Sequence, residues 1–435
     1  MYRILSIPLC ATAAASLALV LPTAAQDRVP GGRLLTFGLS TGITASDNPD
    51  LDQTSRDELR ATTSLSAGLL ALTPTQRFEL GTTASLRAIA GGEDGVDRFA
   101  LSDPNGSILY SRRSRTTELT LEGSFSRDEI STLSPLELSL DDLIDLEDIE
   151  ELETLINANQ IPRDARRLTF DLGATLETRR GSPFGVTYSL GVSGVRYSDA
   201  PADFDDETRV SGGLGFRFDL DEITQASADL SVVTTDDDTE EDRYALDLGI
   251  TRALATDQIG LSLGVIEDGN GNRISLSANA AREFSTGRIS GSAGITRAGG
   301  GNLALVGSLG YAQELSRTQD IRLDLRRRVT RLDGLNPGDP DRERAVTTLS
   351  ADYSQDITRL WRLGVDAQIV QTDVIEGAGE SESFGQIGAD LSRPLTEDWG
   401  LTMGVSHRFE ENGGGSDASS NTVSVSLNRS FRIPY

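Results

Sequence analysis

The chain of 435 residues carries 67 acidic against 40 basic side chains, a formal charge of −27, with arginine as its only strongly basic residue type. So acidic a surface argues against nucleic acid and anionic lipid heads as partners and leaves cationic partners and divalent ions open. The single cysteine, Cys10, falls in the leader-like first segment, which removes disulfides, cysteine-based metal sites and thiol catalysis from the rest.

Residues 1–25 read as a signal peptide: Arg3, an apolar run, then Thr23, Ala24 and Ala25, small residues suited to cleavage before Gln26. Residues 26–435 are expected to form a single barrel with no added domain, because the first strand pattern begins close behind the leader. No later apolar run is long enough for a transmembrane helix.

From there on, apolar and polar residues alternate. Leu35, Phe37, Leu39 and Ile43 share one face, and Thr36, Gly38, Ser40 and Gly42 the other. The same period predicts strands over 34–44, 58–72, 77–90, 107–113, 117–127, 166–178, 184–197, 207–218, 225–234 and 243–253. It continues over 258–267, 273–284, 288–297, 303–315, 320–332, 345–355, 360–372, 384–392, 399–409 and 421–433. The pattern is poorest over 91–116, and eighteen strands rather than twenty is the alternative if 107–113 is not one.

Alternation alone fits a soluble sandwich too. Three features favour a membrane barrel. Short links such as 73–76, 254–257 and 285–287 alternate with long polar ones such as 46–57, 333–343 and 410–420. Aromatic residues cluster at strand ends, with Phe78, Phe184, Trp361 and Trp399 after short turns and Tyr197, Tyr244 and Phe409 beside long loops. Many runs are long enough for tilted strands crossing about 30 Å of hydrocarbon. The fold class is therefore all-β, a transmembrane antiparallel β-barrel of 18–20 strands. Parity sends both termini and the short turns to the periplasm. The outer-membrane lipid and lipopolysaccharide become its surroundings.

The segment 138–160 departs from the pattern. Leu140, Leu143, Ile149, Leu152 and Ile156 recur at helical spacing among aspartates and glutamates. It predicts a helical insertion in an outer loop, either plugging the mouth or packing on the loop layer.

On the polar face, Arg167, Asp171 and Glu177 share one strand, and Arg322, Asp324, Arg326 and Arg328 another. These are the candidate lumen residues, and their mixed sign favours a general polar lumen over a one-sign filter. Arg327 and Arg429 fall on the apolar face near strand ends, where they can snorkel.

Motifs for chemistry fail. GLSTG at 38–42 matches a nucleophile elbow, but Ser40 lies on a strand rather than a strand-to-helix turn. Asp268, Asn270 and Asn272 begin like a calcium loop, yet Arg273 stands where glycine is required. The acidic run 236–242 is a place for weak divalent-cation attraction. His407 is the only histidine, which defines no metal site and, without an orienting partner, no catalytic base. No cofactor and no enzymatic activity are expected.

The chain closes on an alternating run, 421–435, ending in Pro434 and Tyr435. Over its mature length the chain resembles Gram-negative outer-membrane β-barrel proteins. That resemblance implies that Phe431 and Tyr435 form a signal read by the barrel insertion machinery. Pro434 lacks a backbone donor, so strand pairing is expected to end near Phe431. The short elements Ser46-Asp47-Asn48 and Ser126-Arg127-Asp128 resemble those of uncharacterised barrels found with exopolysaccharide or exosortase systems. The expected function is a porin-like or gated pore for polar solutes or extracellular polymer. A non-conducting structural or surface-interaction barrel is the alternative, and an outer-membrane lipid hydrolase a remote one.

Overall fold

A strand whose side chains alternate leaves its backbone N–H and C=O groups pointing sideways. In lipid these groups find no water, so a spanning sheet must close on itself. The computed structural model has this form. It describes residues 32–49, 51, 57–91, 98–129, 166–198, 206–236, 242–268, 271–297, 302–332, 342–376, 381–412 and 417–434.

The first ten strands are β1 (Arg33–Ser46), β2 (Glu58–Leu72), β3 (Gln76–Gly91), β4 (Arg98–Arg113), β5 (Thr117–Glu129), β6 (Arg166–Thr178), β7 (Phe184–Ser198), β8 (Glu207–Asp219), β9 (Thr224–Thr235) and β10 (Arg243–Ala253). The second ten are β11 (Asp257–Asp268), β12 (Gly271–Phe284), β13 (Gly287–Arg297), β14 (Leu303–Ser316), β15 (Gln319–Leu332), β16 (Arg342–Asp356), β17 (Arg362–Glu376), β18 (Glu382–Pro394), β19 (Trp399–Asn412) and β20 (Ala418–Pro434). Each pairs antiparallel with the next, and β1 pairs with β20 from Leu34↔Pro434 to Ser46↔Thr422, which closes the ring. With strands about 4.8 Å apart and tilted about 40°, such a ring is roughly 40 Å across, backbone to backbone.

Burial is inverted relative to a water-soluble protein. Large apolar side chains such as Leu65, Leu190, Leu305 and Val405 are exposed on the outside of the ring. Their strand neighbours, mostly Gly, Ser, Thr and charged residues, point to the lumen. The outer face gains its stability from hydrocarbon, at about 25 cal/mol per Å² removed from water.

At one end the connections are short, from 285–286 to 357–361. At the other they include 130–165, 333–341 and 413–417, although 269–270 is short as well.

Three expectations change. The helical insertion is not upheld: among the described residues every regular element is a strand, and 138–160 lies outside them. Helical spacing in a short acidic segment is a weak warrant, because such a helix needs a tertiary partner that sequence does not name. Second, 107–113 is part of the longer β4, which carries an extra residue between Thr83↔Asn105 and Ser85↔Ser102. That bulge contains Pro104, and it switches which numbers face outward, so alternation read across it disappears. Third, pairing does not stop near Phe431 but runs to Pro434, since a proline at a strand's last position removes little from the ladder. Tyr435 and the leader 1–25 lie outside the described residues.

Candidate functional site

Parity and register together sort the lumen wall into two layers. Near the long-loop end, lumen positions carry Arg60, Arg87, Arg167, Arg209, Arg243, Arg273, Arg328, Arg344 and Arg408. Several are tied to acidic neighbours: Arg60 to Glu58 at 2.8 Å, Arg344 to Glu382 at 3.3 Å, and Arg209 to Glu207. Arg87, Arg167 and Arg344 are buried. The result is an arginine-rich mouth.

Toward the middle the sign reverses. Glu122, Asp171, Asp229, Asp247, Asp324, Asp352, Asp366 and Asp390 face inward there, against Arg322 and Arg326, and nearer the short turns Arg77, Arg217, Arg288 and Arg362 face inward as well. Six of these carboxylates stand directly opposite a glycine: Glu122 and Gly173, Asp229 and Gly215, Asp247 and Gly264, Asp324 and Gly310, Asp366 and Gly388, Asp390 and Gly364. Each carboxylate lies over its glycine. A Cβ at Gly388 would fall 2.6 Å from Asp366 Oδ1, at Gly264 2.8 Å from Asp247 Oδ1, and at Gly310 3.0 Å from Asp324 Oδ1. The missing side chain lets the acid lie flat on the wall instead of projecting into the passage.

The sequence candidates fall into this frame on opposite sides of the ring. β6 and β15 are nearly diametric, too far apart for their side chains to meet. Arg322 stands opposite Asp352, and both line a cavity of ≈ 810 Å³ with Asp320, Arg362, Asp366 and Asp390. Arg362 reaches Asp320 at 3.7 Å. Arg328 lies in the mouth, as does Arg167. Glu177 pairs with Arg180 at 3.2 Å near the short-turn end. Among the described residues these ion pairs run within one strand or to a strand one or two places along the wall. Of the mouth arginines only Arg167 and Arg328 were singled out from sequence; the others and the acid–glycine pairs were not, because both groupings depend on register.

The Ser46-Asp47-Asn48 element fastens the seam between β1 and β20. Ser46 Oγ meets Ser420 Oγ at 2.9 Å, and Asn48 Nδ2 donates to the Ser419 carbonyl at 3.1 Å. Asn421 donates twice to Asp47, from its backbone N at 2.6 Å and from Nδ2 at 2.7 Å. Those bonds hold the Asp47 carboxyl below the usual carboxylate range. With Nδ2 so committed, Asn421 Oδ1 must accept from His407 Nδ1, 2.9 Å away, which fixes the tautomer of that ring. His407 therefore serves the clasp. In the Ser126-Arg127-Asp128 element, Ser126 Oγ bonds Asp128 Oδ2 at 2.9 Å and Thr169 Oγ1 at 2.7 Å, tying β5 to β6. Ser40 donates to Asn428 across the same seam, within β1 rather than at the strand-to-helix turn a nucleophile elbow needs.

On the outward face, Arg327 is neutralised by Asp373 at 3.2 Å and donates to Thr347 at 2.7 Å. Arg429 instead lies over aromatic rings, 4.2 Å from the centre of Phe431 and 5.1 Å from that of Trp399. Phe431 pairs with Phe37 across the seam. Among the described residues no group of three His, Cys, Asp or Glu is placed to hold a metal. Most of the acidic run 236–242 lies outside them.

A closed antiparallel ring with an apolar exterior, a polar interior and short turns at one end is a transmembrane β-barrel of the Gram-negative outer-membrane type. No known protein family matches the sequence, and neither does any curated protein. Among solved structures, the siderophore receptor PirA from Acinetobacter baumannii superposes with a TM-score of 0.50 at 9% identity, covering 93% of this chain and 81% of that one. PirA from Pseudomonas aeruginosa gives 0.50 at 14%, with the same 93% and 81%. The ferric enterobactin receptor PfeA from Pseudomonas aeruginosa, solved with enterobactin, gives 0.51 at 11%, covering 93% and 82%. At such identities the likeness is one of fold.

Proposed function

We propose that the chain is an outer-membrane pore for polar solutes, with its short turns in the periplasm and its long loops outside. The observation that carries this is the lumen wall: a polar lining whose acids are laid flat over glycines, an arrangement that keeps a passage wide. A purely structural barrel gains nothing from it. Twenty strands also lie between the water-filled 16–18-stranded porins and the plugged 22-stranded transporters. Small polar solutes entering past the arginine mouth would meet a carboxylate-lined waist, which favours cations or molecules carrying both signs. An extracellular polymer is the narrower cargo implied by the resemblance to exopolysaccharide-associated barrels.

Single-channel recording in planar bilayers tests this. Discrete, sizeable conductance steps support the pore. A correctly folded barrel that gives none would sink it and leave the structural role. Orientation is read separately, by labelling cysteines placed at 285–286 or in 413–416 on intact cells.

A further inference from the structure

Both tryptophans of the chain stand on the outward face at the short-turn end, Trp361 just before β17 and Trp399 at the start of β19. Two arginines stand among them. The Arg393 guanidinium lies 5.3 Å from the ring centre of Trp361, and that of Arg429 lies over both Trp399 and Phe431. Register orders the group: Arg393 is opposite Leu401, two residues from Trp399, and Arg429 is opposite both Trp399 and Leu39. From β17 round to β1 the face therefore alternates Trp361, Arg393, Trp399, Arg429, then Phe431 beside Phe37.

Neither arginine has a hydrogen-bond or ion-pair partner among the described residues, and the Nε of each is sealed from solvent without one. Arg327, on the same outward face at the other end, has Asp373. A guanidinium held on aromatic rings at the edge of hydrocarbon, with no protein anion, is set to take its anion from the bilayer. Its planar fork of donors fits a phosphate better than an ammonium would. Arg112, Arg252 and Arg282 extend the outward basic rim at this end, with Asp257 beside Arg282 at 3.5 Å. The exposed acids of the adjoining turn, Glu397 and Asp398, make no ion pair with either arginine among the described residues.

We propose that the Trp361–Arg393–Trp399–Arg429 band binds the phosphate of an anionic phospholipid in the leaflet beside the short turns. This rests on the barrel spanning a bilayer. Because the band holds both tryptophans, their fluorescence reports on it directly. The protein is reconstituted in phosphatidylcholine vesicles containing a small fraction of chain-brominated phosphatidylglycerol or chain-brominated phosphatidylcholine, and quenching is compared. Brominated phosphatidylglycerol should quench with about fivefold higher apparent affinity, the factor one arginine contributes at a charged lipid surface. In R393Q/R429Q the two lipids should quench alike, whereas R112Q/R282Q, which leaves the band intact, should keep the preference. R393K/R429K, which keeps the charge, controls for loss of folding and should retain part of it. Equal quenching of the parent protein, or a preference that survives R393Q/R429Q, would overturn the site. Absence of quenching by either lipid would overturn the bilayer-spanning reading itself, a distinguishable result.

Discussion

The carboxylate waist sets an ion preference whose size follows from geometry. A wall charge lies roughly 15 Å from the axis of a ring this wide. Coulomb's law in water gives about 0.3 kcal/mol at that distance, and a Debye length of about 10 Å at 0.1 M salt cuts it to about 0.06 kcal/mol. With Asp320 and Arg362 of the same cavity included, nine carboxylates against three guanidiniums leave about six negative charges, which favour a monovalent cation by about 0.4 kcal/mol and disfavour an anion equally. The expected cation-to-anion preference is therefore three- to fourfold, about one kilocalorie or less in all, and it falls to about one in 1 M salt, where the Debye length is about 3 Å. Replacing the glycine-paired acids by their amides (Glu122→Gln, Asp229→Asn, Asp247→Asn, Asp324→Asn, Asp366→Asn and Asp390→Asn) keeps the shape and removes the charge. The reversal potential across a KCl gradient should then drop to zero. An anion-preferring parent, or a sextuple variant with unchanged preference, refutes the assignment of the waist.

Gly388→Ala puts a Cβ 2.6 Å from Asp366 Oδ1, so the carboxylate must leave its rotamer, and the barrel should lose about 1 kcal/mol, seen as a lower midpoint in heat-dependent gel mobility. Gly400→Ala, with nothing within 4 Å of its Cβ, is the matched control and should be neutral. Asn421→Ala removes the Nδ2 donor to Asp47 while keeping the backbone one, and should cost about 1 kcal/mol in the same assay. Because the Asp47 carboxyl is held below its ordinary range, its contribution is present above that range and disappears as pH falls through the lowered value. The gap between parent and Asn421→Ala should accordingly close in acid, and a gap that widens there contradicts the clasp. Deleting Phe431–Tyr435 should leave periplasmic, protease-sensitive chain; normal insertion without these residues would refute their role as a recognition signal.

The strands were legible because one physical demand, apolar outside and polar inside, is written in every second residue. β4 was half hidden because the bulge at Pro104 breaks that count in mid-strand. The lumen face of β15 could be read from Arg322 to Arg328, but not what β16, across the long link 333–341, sets beside it. Gly215–Asp229, Asp247–Gly264 and Gly310–Asp324 join strands linked by short turns, where turn length fixes register, and they were within reach of sequence. Glu122–Gly173 joins strands across the long link 130–165, and Asp366–Gly388 and Gly364–Asp390 across 377–381, which carries no tight-turn signal that would fix register. The aromatic girdle was visible as a trend, but the seating of Arg393 and Arg429 on tryptophan needed neighbours that are distant in sequence.

The seam between β1 and β20 has a kinetic consequence. Ser40 and Asn428, joined across it, are 388 residues apart, while most other strands meet their partners across a few residues of turn. Closing a loop of that length costs about 5 kcal/mol of chain entropy, and no part of it is recovered until the last ladder forms. Through assembly the sheet therefore carries two open edges, each able to pair with a stranger. The clasp at one end of the seam and the aromatic stack at the other hold together a joint that every partly assembled chain must search for last.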